Sequence, residues 1–305
     1  MDEKNFYVGT ICVLGKPNAG KSSLVNALVK EKVSIVSPKP QTTRDNIVGV
    51  YNDENSQLVF VDTPGIFSGV SKLDNVMNKN VSIAKEENDI ILLLVDGSKG
   101  ITDKDISFIK SFSKFPKVIL LVTKTDLTTF EKLYPHLSKL NELSFLADII
   151  PISSHKNRNL NVVIDAIKKN LEPSSRDDML FDVDSYTDKS TRFVAGEIIR
   201  EKMLLALNDE VPHGVAIVVY KWSESSTLAK IYADIICEKE RHKSIIIGKK
   251  GAMLKKIGQN ARLEIEKMLG KQVYLELFVK VKENWQNNAE ILQTLCQIAE
   301  SDVNI

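Results

Sequence analysis

The chain reads as an α/β protein, a mostly parallel sheet covered by helices on both faces, followed by a smaller α+β unit. Three observations predict this. Residues 7–171 alternate short β-branched or aliphatic runs with amphipathic stretches, the pattern of strand–helix units. A polar, proline-bearing break at 173–178 interrupts that alternation. Beyond it the order changes to a helix, two strands, a helix, a strand and a last helix. The length of 305 residues accommodates two ordinary domains. Hydrophobic residues at 43% and charged residues at 27% suit a chain that buries a sizeable core.

In the first half the aliphatic and β-branched runs place strands at 7–14, 47–51, 58–61, 90–95, 118–122 and 149–152. Amphipathic stretches between them place helices at 21–29, 72–85, 103–111, 130–143 and 160–171. In the second half the expected order is a helix at 192–207, strands at 215–222 and 228–238, and a helix after Gly251. A strand at 273–282 and a helix near 289–299 follow. The resulting domains are 1–172 and 186–305, the second including the C-terminal helix, with a linker over 173–185.

Composition excludes several classes. Cys12, Cys237 and Cys296 are too few and scattered for a disulfide framework or a metal knuckle, and the four histidines are equally dispersed. The longest purely aliphatic run, Ile90 to Val95, falls far short of the roughly 20 apolar residues of a membrane span. The start, Met1-Asp2-Glu3-Lys4, is too acidic and polar for a signal peptide, so a reducing, cytoplasmic compartment is expected. Lys plus Arg number 41 against 40 Asp plus Glu, which excludes a globally basic chain but not a local basic patch.

The chemistry lies in loops at strand ends. Gly15-Lys16-Pro17-Asn18-Ala19-Gly20-Lys21-Ser22 fits G-x-x-x-x-G-K-[ST] between a strand and a helix, the phosphate-loop context. Its backbone N–H groups cradle phosphates, joined by the helix start at Ser23; Lys21 reaches the β/γ phosphates and Ser22 ligates Mg²⁺. Asp62-Thr63-Pro64-Gly65 ends the third strand; Asp62 would fix the metal through water and the Gly65 N–H would sense the γ-phosphate. Thr123-Lys124-Thr125-Asp126 ends the fifth strand. Asp126 can accept from the ring N–H and the exocyclic amine of guanine, a donor pair adenine lacks. Lys124 offers its stem to the base plane, and Ser153-Ser154 after the sixth strand brings backbone N–H groups toward the guanine oxygen.

In this order the motifs resemble those of the Era-type GTPases of the TrmE–Era–EngA group, over essentially the whole chain. The resemblance implies a Ras-like phosphate-loop GTPase domain. It also implies that Gln41-Thr42-Thr43-Arg44 is the first switch, with Thr43, or Thr42 as the alternative, closing on Mg²⁺ in the GTP state. Lys21, Thr43 and Gly65 are then the catalytic set. Ile66 stands where other GTPases carry a water-orienting Gln, as in the hydrophobic-substituted subgroup. Asn18 resembles the asparagine that some relatives use to hold K⁺, so slow hydrolysis stimulated by K⁺ or a bound partner is expected. There are two departures: Thr123 stands where Asn is usual, which lowers expected affinity, and Ser154 stands where Ala is usual.

In the second half, Ile247-Gly248-Lys249-Lys250-Gly251 leads into the helical pattern Met253, Leu254, Ile257, Ala261. A similar Gly97-Ser98-Lys99-Gly100 has no helix directly behind it and is set aside. An apolar run, a lysine-bearing GxxG loop and a following helix form the layout of a type II K-homology (KH) fold, whose loop clamps a nucleic-acid backbone. Lys243, Lys249, Lys250 and Lys255 are expected on phosphates, with Ile247, Leu254 and Ile257 walling a groove for unstacked bases. Residues 239–256 hold seven basic side chains against one acid. The segment from Tyr186 through Glu197-Ile198-Ile199-Arg200-Glu201-Lys202 looks like the family's joining signature. Trp222 and Trp285 are read as packing residues.

The resemblance thus implies a GTP-hydrolysing, Mg²⁺-dependent switch coupled to RNA binding. Its implied partners are GTP and GDP, the 3′ region of 16S rRNA and the 30S subunit. Action as a monomer, cytoplasmic location and peripheral contact with the inner membrane are further implications. The alternative is a guanine-nucleotide switch recruiting protein or membrane partners without rRNA-specific binding. An ATP-using phosphate-loop protein is disfavoured by Asp126, and a tRNA-modifying relative by the domain order.

Overall fold

The computed structural model describes residues 6–39, 42–65, 72–207, 211–288 and 291–292. The chain divides into two compact units. The first comprises residues up to Ser34, Thr43–Phe67 and Asn78–Asp188; the second comprises Ile35–Thr42, Ser68–Met77 and Lys189–Ile305.

The first unit is built on a six-stranded sheet of order β2-β3-β1-β4-β5-β6. Its strands are β1 (Tyr7–Gly15), β2 (Ile47–Asp53), β3 (Ser56–Asp62), β4 (Ile90–Asp96), β5 (Val118–Thr123) and β6 (Leu146–Pro151). All neighbours are parallel except β2 and β3, an antiparallel pair joined by the turn at Glu54-Asn55. Helices α1 (Lys21–Val29), α2 (Lys72–Glu87), α3 (Asp103–Lys110), α4 (Phe130–Leu140) and α5 (Leu160–Asn170) alternate with the strands. The central strands β4 and β5 are apolar along their length because a parallel sheet covered on both faces leaves no wet side. Their side chains join Cys12, Leu14, Val81 and Ile109 in one core cluster.

The segment expected as a linker runs along this unit. Ser174 bridges Phe6, Gln57 Oε1 accepts from the N–H groups of Leu180 and Phe181, and the Tyr186 carbonyl accepts from Val50 N–H across 3.0 Å. A polar sequence without periodicity is ordered here because a buried Gln57 side chain takes the place of a sheet partner.

The second unit packs α6 (Thr191–Ala206) and α8 (Ala252–Leu269) on a three-stranded sheet of order β7-β8-β9. Strands β7 (Val215–Glu224) and β8 (Leu228–Cys237) are antiparallel, and β9 (Gln272–Val281) adds parallel to β8. The apolar run before the glycine loop is itself helical, α7 (Glu240–Ile247). Ile246 and His242, one turn apart, face inward there, while Ile245 is exposed; three adjacent isoleucines conceal that period. Trp285 is completely buried and donates its indole N–H to the Gly214 carbonyl at 3.0 Å, as a packing residue does. The expected C-terminal helix at 289–299 lies outside the described residues except for Ile291 and Leu292.

Candidate nucleotide and nucleic-acid sites

The phosphate loop leaves β1 at Gly15, where an added Cβ would lie 2.8 Å from the Leu94 carbonyl oxygen, and enters α1 at Gly20, φ +94°. Asn18 also takes a left-handed conformation, φ 63°. No side chain caps α1, so the N–H groups of its first turn are directed to whatever occupies the loop. Lys21 is buried, and its ammonium lies 3.3 Å from the Gly15 carbonyl, to which it donates. Burial pushes that ammonium down from its ordinary range, and attraction to Asp62 opposes the shift.

Three oxygen donors meet at the start of this helix. Ser22 Oγ donates to Asp62 Oδ2 at 2.7 Å, and Thr43 Oγ1 stands 3.0 Å from Ser22 Oγ and 3.4 Å from Asp62 Oδ2. Asp62 is fully buried; burial pushes its carboxyl up, opposed by Lys21 and by the hydroxyls of Ser22, Ser34 and Thr43. Its Oδ1 has no hydrogen-bond partner among the described residues. An orphaned carboxylate oxygen beside two hydroxyls fits a small, hard divalent cation that takes its remaining ligands from phosphate and water. Thr42, the alternative to Thr43, instead donates its hydroxyl to the Lys39 carbonyl at 2.6 Å.

Behind Asp62, the Thr63 hydroxyl donates to the Val13 carbonyl at 2.8 Å and ties the strand ends together. Pro64 is buried, and an added Cβ on Gly65 would meet Pro17 at 3.3 Å. Gly65 thus lies directly against the phosphate loop. Ile66 lies outside the described residues. Lys16, expected in the nucleotide-binding set, donates to Asp105 at 2.7 Å with its ammonium 5.4 Å from the Phe108 ring centroid, a partnership the motif alone did not reveal.

At the base end, the buried Thr123 hydroxyl lies 2.8 Å from the Ala19 carbonyl and 3.1 Å from that of Val95. The departure from asparagine therefore retains a tie to the phosphate loop through a shorter side chain. Thr125 donates to the Ile152 carbonyl at 2.9 Å, and Lys124, at φ 57°, donates to Asp96 at 2.6 Å. Asp126 is aimed by the Ser153 hydroxyl, which donates to its Oδ1 at 2.6 Å and is the largest cause holding the carboxyl below its usual range. The sequence points to the backbone of Ser153; its side chain is what orients the acceptor. Ser154 is partly buried beside it.

In the second unit, Gly248 (φ 70°), Lys250 (φ 52°) and Gly251 (φ 78°) make the turn from α7 into α8. An added Cβ on Gly248 would sit 2.6 Å from that of Met253, so the turn cannot tolerate a side chain there. Lys249, Lys250 and Lys255 are exposed, Lys243 and Ile247 are half-buried, and no side chain caps α8. A groove of about 720 Å³ runs between α8 and β9, lined by Gly251, Leu254, Lys255, Gly258, Gln259 and Arg262 on one side and Leu275, Glu276 and Leu277 on the other. Leu254 lines this groove. Ile257 does not: it is completely buried in the core, on the inner side of the helix with Ala261 and Ile265 at steps of four. Arg262 and Gln259 escape a reading of the sequence, being two turns or more from the loop motif.

These sites define a phosphate-loop GTPase joined to a K-homology domain. Residues 10–125 match the family described as 50S ribosome-binding GTPase, and residues 210–286 match the KH domain family. The GTPase Era of Clostridium kluyveri is 43% identical over 293 residues, covering 94% of this chain and 98% of that protein. The Era of Syntrophus aciditrophicus is 39% identical over 291 residues, 94% of each chain. Two crystal structures are similar at 36% identity. One, of Era with MgGDPNP and nucleotides 1506–1542 of 16S ribosomal RNA, has a TM-score of 0.87 and covers 95% of this chain and 98% of that one. The other, an Aquifex aeolicus Era variant bound to GDP·AlF4⁻, has a TM-score of 0.88 and covers 95% and 99%. The chain belongs to the GTPase Era family and is a GTP-hydrolysing enzyme.

Proposed function

We propose that this chain acts in assembly of the small (30S) ribosomal subunit, gripping the 3′ region of 16S rRNA with its KH unit and using GTP hydrolysis to time release. The observation that carries the RNA half is the uncapped start of α8, reached through a turn that presents Lys249 and Lys250 beside an apolar groove. The relative crystallised with nucleotides 1506–1542 supports the choice of RNA. Binding of that stretch, synthesised from the source organism's own rRNA, is expected to exceed binding of a scrambled RNA of equal length. Equal binding would favour a nucleotide switch with protein or membrane partners.

For hydrolysis, the loop N–H groups and Lys21 hold the phosphates, Asp126 selects guanine, and the Gly65 N–H meets the γ-phosphate. Ser22, Thr43 and Asp62 would hold Mg²⁺, which when bound neutralises charge on the β and γ oxygens. With Ile66 following Gly65, no side-chain amide is present at that position to orient water, so positioning falls on the backbone and turnover is slow. We assign Asn18, exposed in the loop, to a K⁺ ion beside the phosphates. Turnover in KCl is then several-fold faster than in NaCl at equal ionic strength; equal rates remove K⁺ from the reading. Cytoplasmic action as a monomer, with peripheral contact at the inner membrane, belongs to the same proposal. No helix among the described residues is long and apolar enough to cross a membrane.

A further inference from the structure

Helix α6 carries two buried faces within the second unit. Val194, Ala195, Ile198 and Ile199 enter the hydrophobic core. Glu197, Arg200 and Glu201 lie on another side, since residues three and four apart share a helix face. This side meets Val36, Lys39 and Thr42, which belong to the same unit. Arg200 is only 2% exposed; its Nε donates to Glu197 Oε1 at 2.7 Å, and its Nη2 donates to the Thr42 carbonyl. Glu201, 3% exposed, accepts from the Val36 N–H at 2.9 Å, and Lys39 donates to the Leu207 carbonyl just past the helix end. A guanidinium withdrawn this far from water is costly unless its partners repay it. Here one of those partners is a main-chain oxygen, a single peptide bond away from Thr43.

We propose that Arg200, clamped by Glu197, is a positioning residue for the GTP state: by fixing the Thr42 carbonyl it sets the backbone that presents the Thr43 hydroxyl to Ser22 and Asp62. The inference rests on Thr43 being the switch residue that closes on Mg²⁺. A purely structural Arg200 would affect GDP and GTP binding alike. A positioning Arg200 affects only the state in which Thr43 closes, because GDP does not engage that threonine.

The test compares binding of GDP and of a non-hydrolysable GTP analogue, both with Mg²⁺, to the full chain carrying Arg200→Met, Thr43→Ala or both. Arg200→Met is expected to weaken the analogue about tenfold, within the usual range of coupling between sites, and GDP less than twofold. Thr43→Ala should do the same, and the double variant should add little, since the two act through one contact. Hydrogen exchange of residues 35–43 in the analogue complex should rise in Arg200→Met. Arg200→Lys, which keeps the charge, should fall between, and Glu197→Gln should give a smaller change of the same sign; these two decide the matter if Arg200→Met fails to fold. An unchanged ratio of analogue to GDP affinity in the Arg200 and Glu197 variants, whether neither affinity falls or both fall alike, overturns the proposal when Thr43→Ala is still selective. A Thr43→Ala protein with an unchanged ratio instead overturns the assignment of Thr43 on which it rests.

Discussion

The phosphate loop of the first unit and the GxxG loop of the second use the same backbone device to different ends. Each turns through residues of positive φ, with Asn18 and Gly20 in one and Gly248, Lys250 and Gly251 in the other. Each delivers the chain to a helix whose first turn no side chain caps. Both therefore offer oriented N–H groups to phosphate. What separates them is the burial of the lysines. Lys21 is 7% exposed and works beside a buried carboxylate, whereas Lys249 and Lys250 stand in solvent. A buried lysine with a fixed partner defines one position for one phosphate chain. Exposed lysines beside a groove suit a polymer whose phosphates repeat, with selection left to the bases in the groove.

The sharpest way to break this comparison is to attack selection in the first site alone. Asp126→Ala removes the acceptor that Ser153 aims, and the preference for GTP over ATP should collapse by about 10⁴, the scale on which a site built to pair polar groups rejects a mismatched ligand. Competition of ATP against a fluorescent guanine nucleotide measures this, and RNA binding should be untouched. Next in size is Lys21→Ala. It removes the buried ammonium expected on the β/γ phosphates, a charge-assisted contact, so nucleotide affinity should fall about 10²-fold. A tenfold effect or less would mean that Lys21 is no more essential than an exposed lysine.

Much of this was legible because it depends on local spacing. The phosphate loop, Asp62 to Gly65 and Thr123 to Asp126 each follow an apolar strand directly, and strand ends of a parallel sheet converge on one edge. What the sequence concealed depends on residues distant in the chain. Asp105 on Lys16 is 89 positions away, Asp96 on Lys124 is 28, and Arg200 on Thr42 is 158. Charged residues on helices read as solvated faces until the fold supplies the partner. Ile257 erred in the opposite sense: apolar residues after a nucleic-acid loop serve equally as groove and core, and only the helix rotation decides between Leu254 and Ile257.

In the second site the expected effects are smaller because exposed charges are screened. Lys249→Ala with Lys250→Ala should lower RNA affinity about tenfold at physiological salt. It should also reduce the slope of log affinity against log salt by roughly 1.4, two contacts at about 0.7 each on single strands. GTP binding should stay unchanged. A lower affinity with an unaltered slope would show that these lysines shape the turn rather than touch phosphate.

Thr123→Val is the finest probe, since it changes one atom while keeping side-chain shape. The hydroxyl it removes is a single donor shared between the carbonyls of Ala19 and Val95, both in the dry ground between the phosphate loop and the base-recognition strand. A methyl there leaves the Ala19 oxygen without this donor, at a cost of about 1–3 kcal/mol for a buried polar group. Part of that falls on folding and part on the loop's ability to hold phosphate. The expected result is a melting temperature lowered by a few degrees, with GDP affinity reduced about fivefold and guanine selectivity intact. If affinity falls without selectivity, Thr123 acts on the phosphate end of the nucleotide although it sits in the base motif. If selectivity falls with it, the hydroxyl positions Asp126 instead, and the tie to Ala19 is only packing.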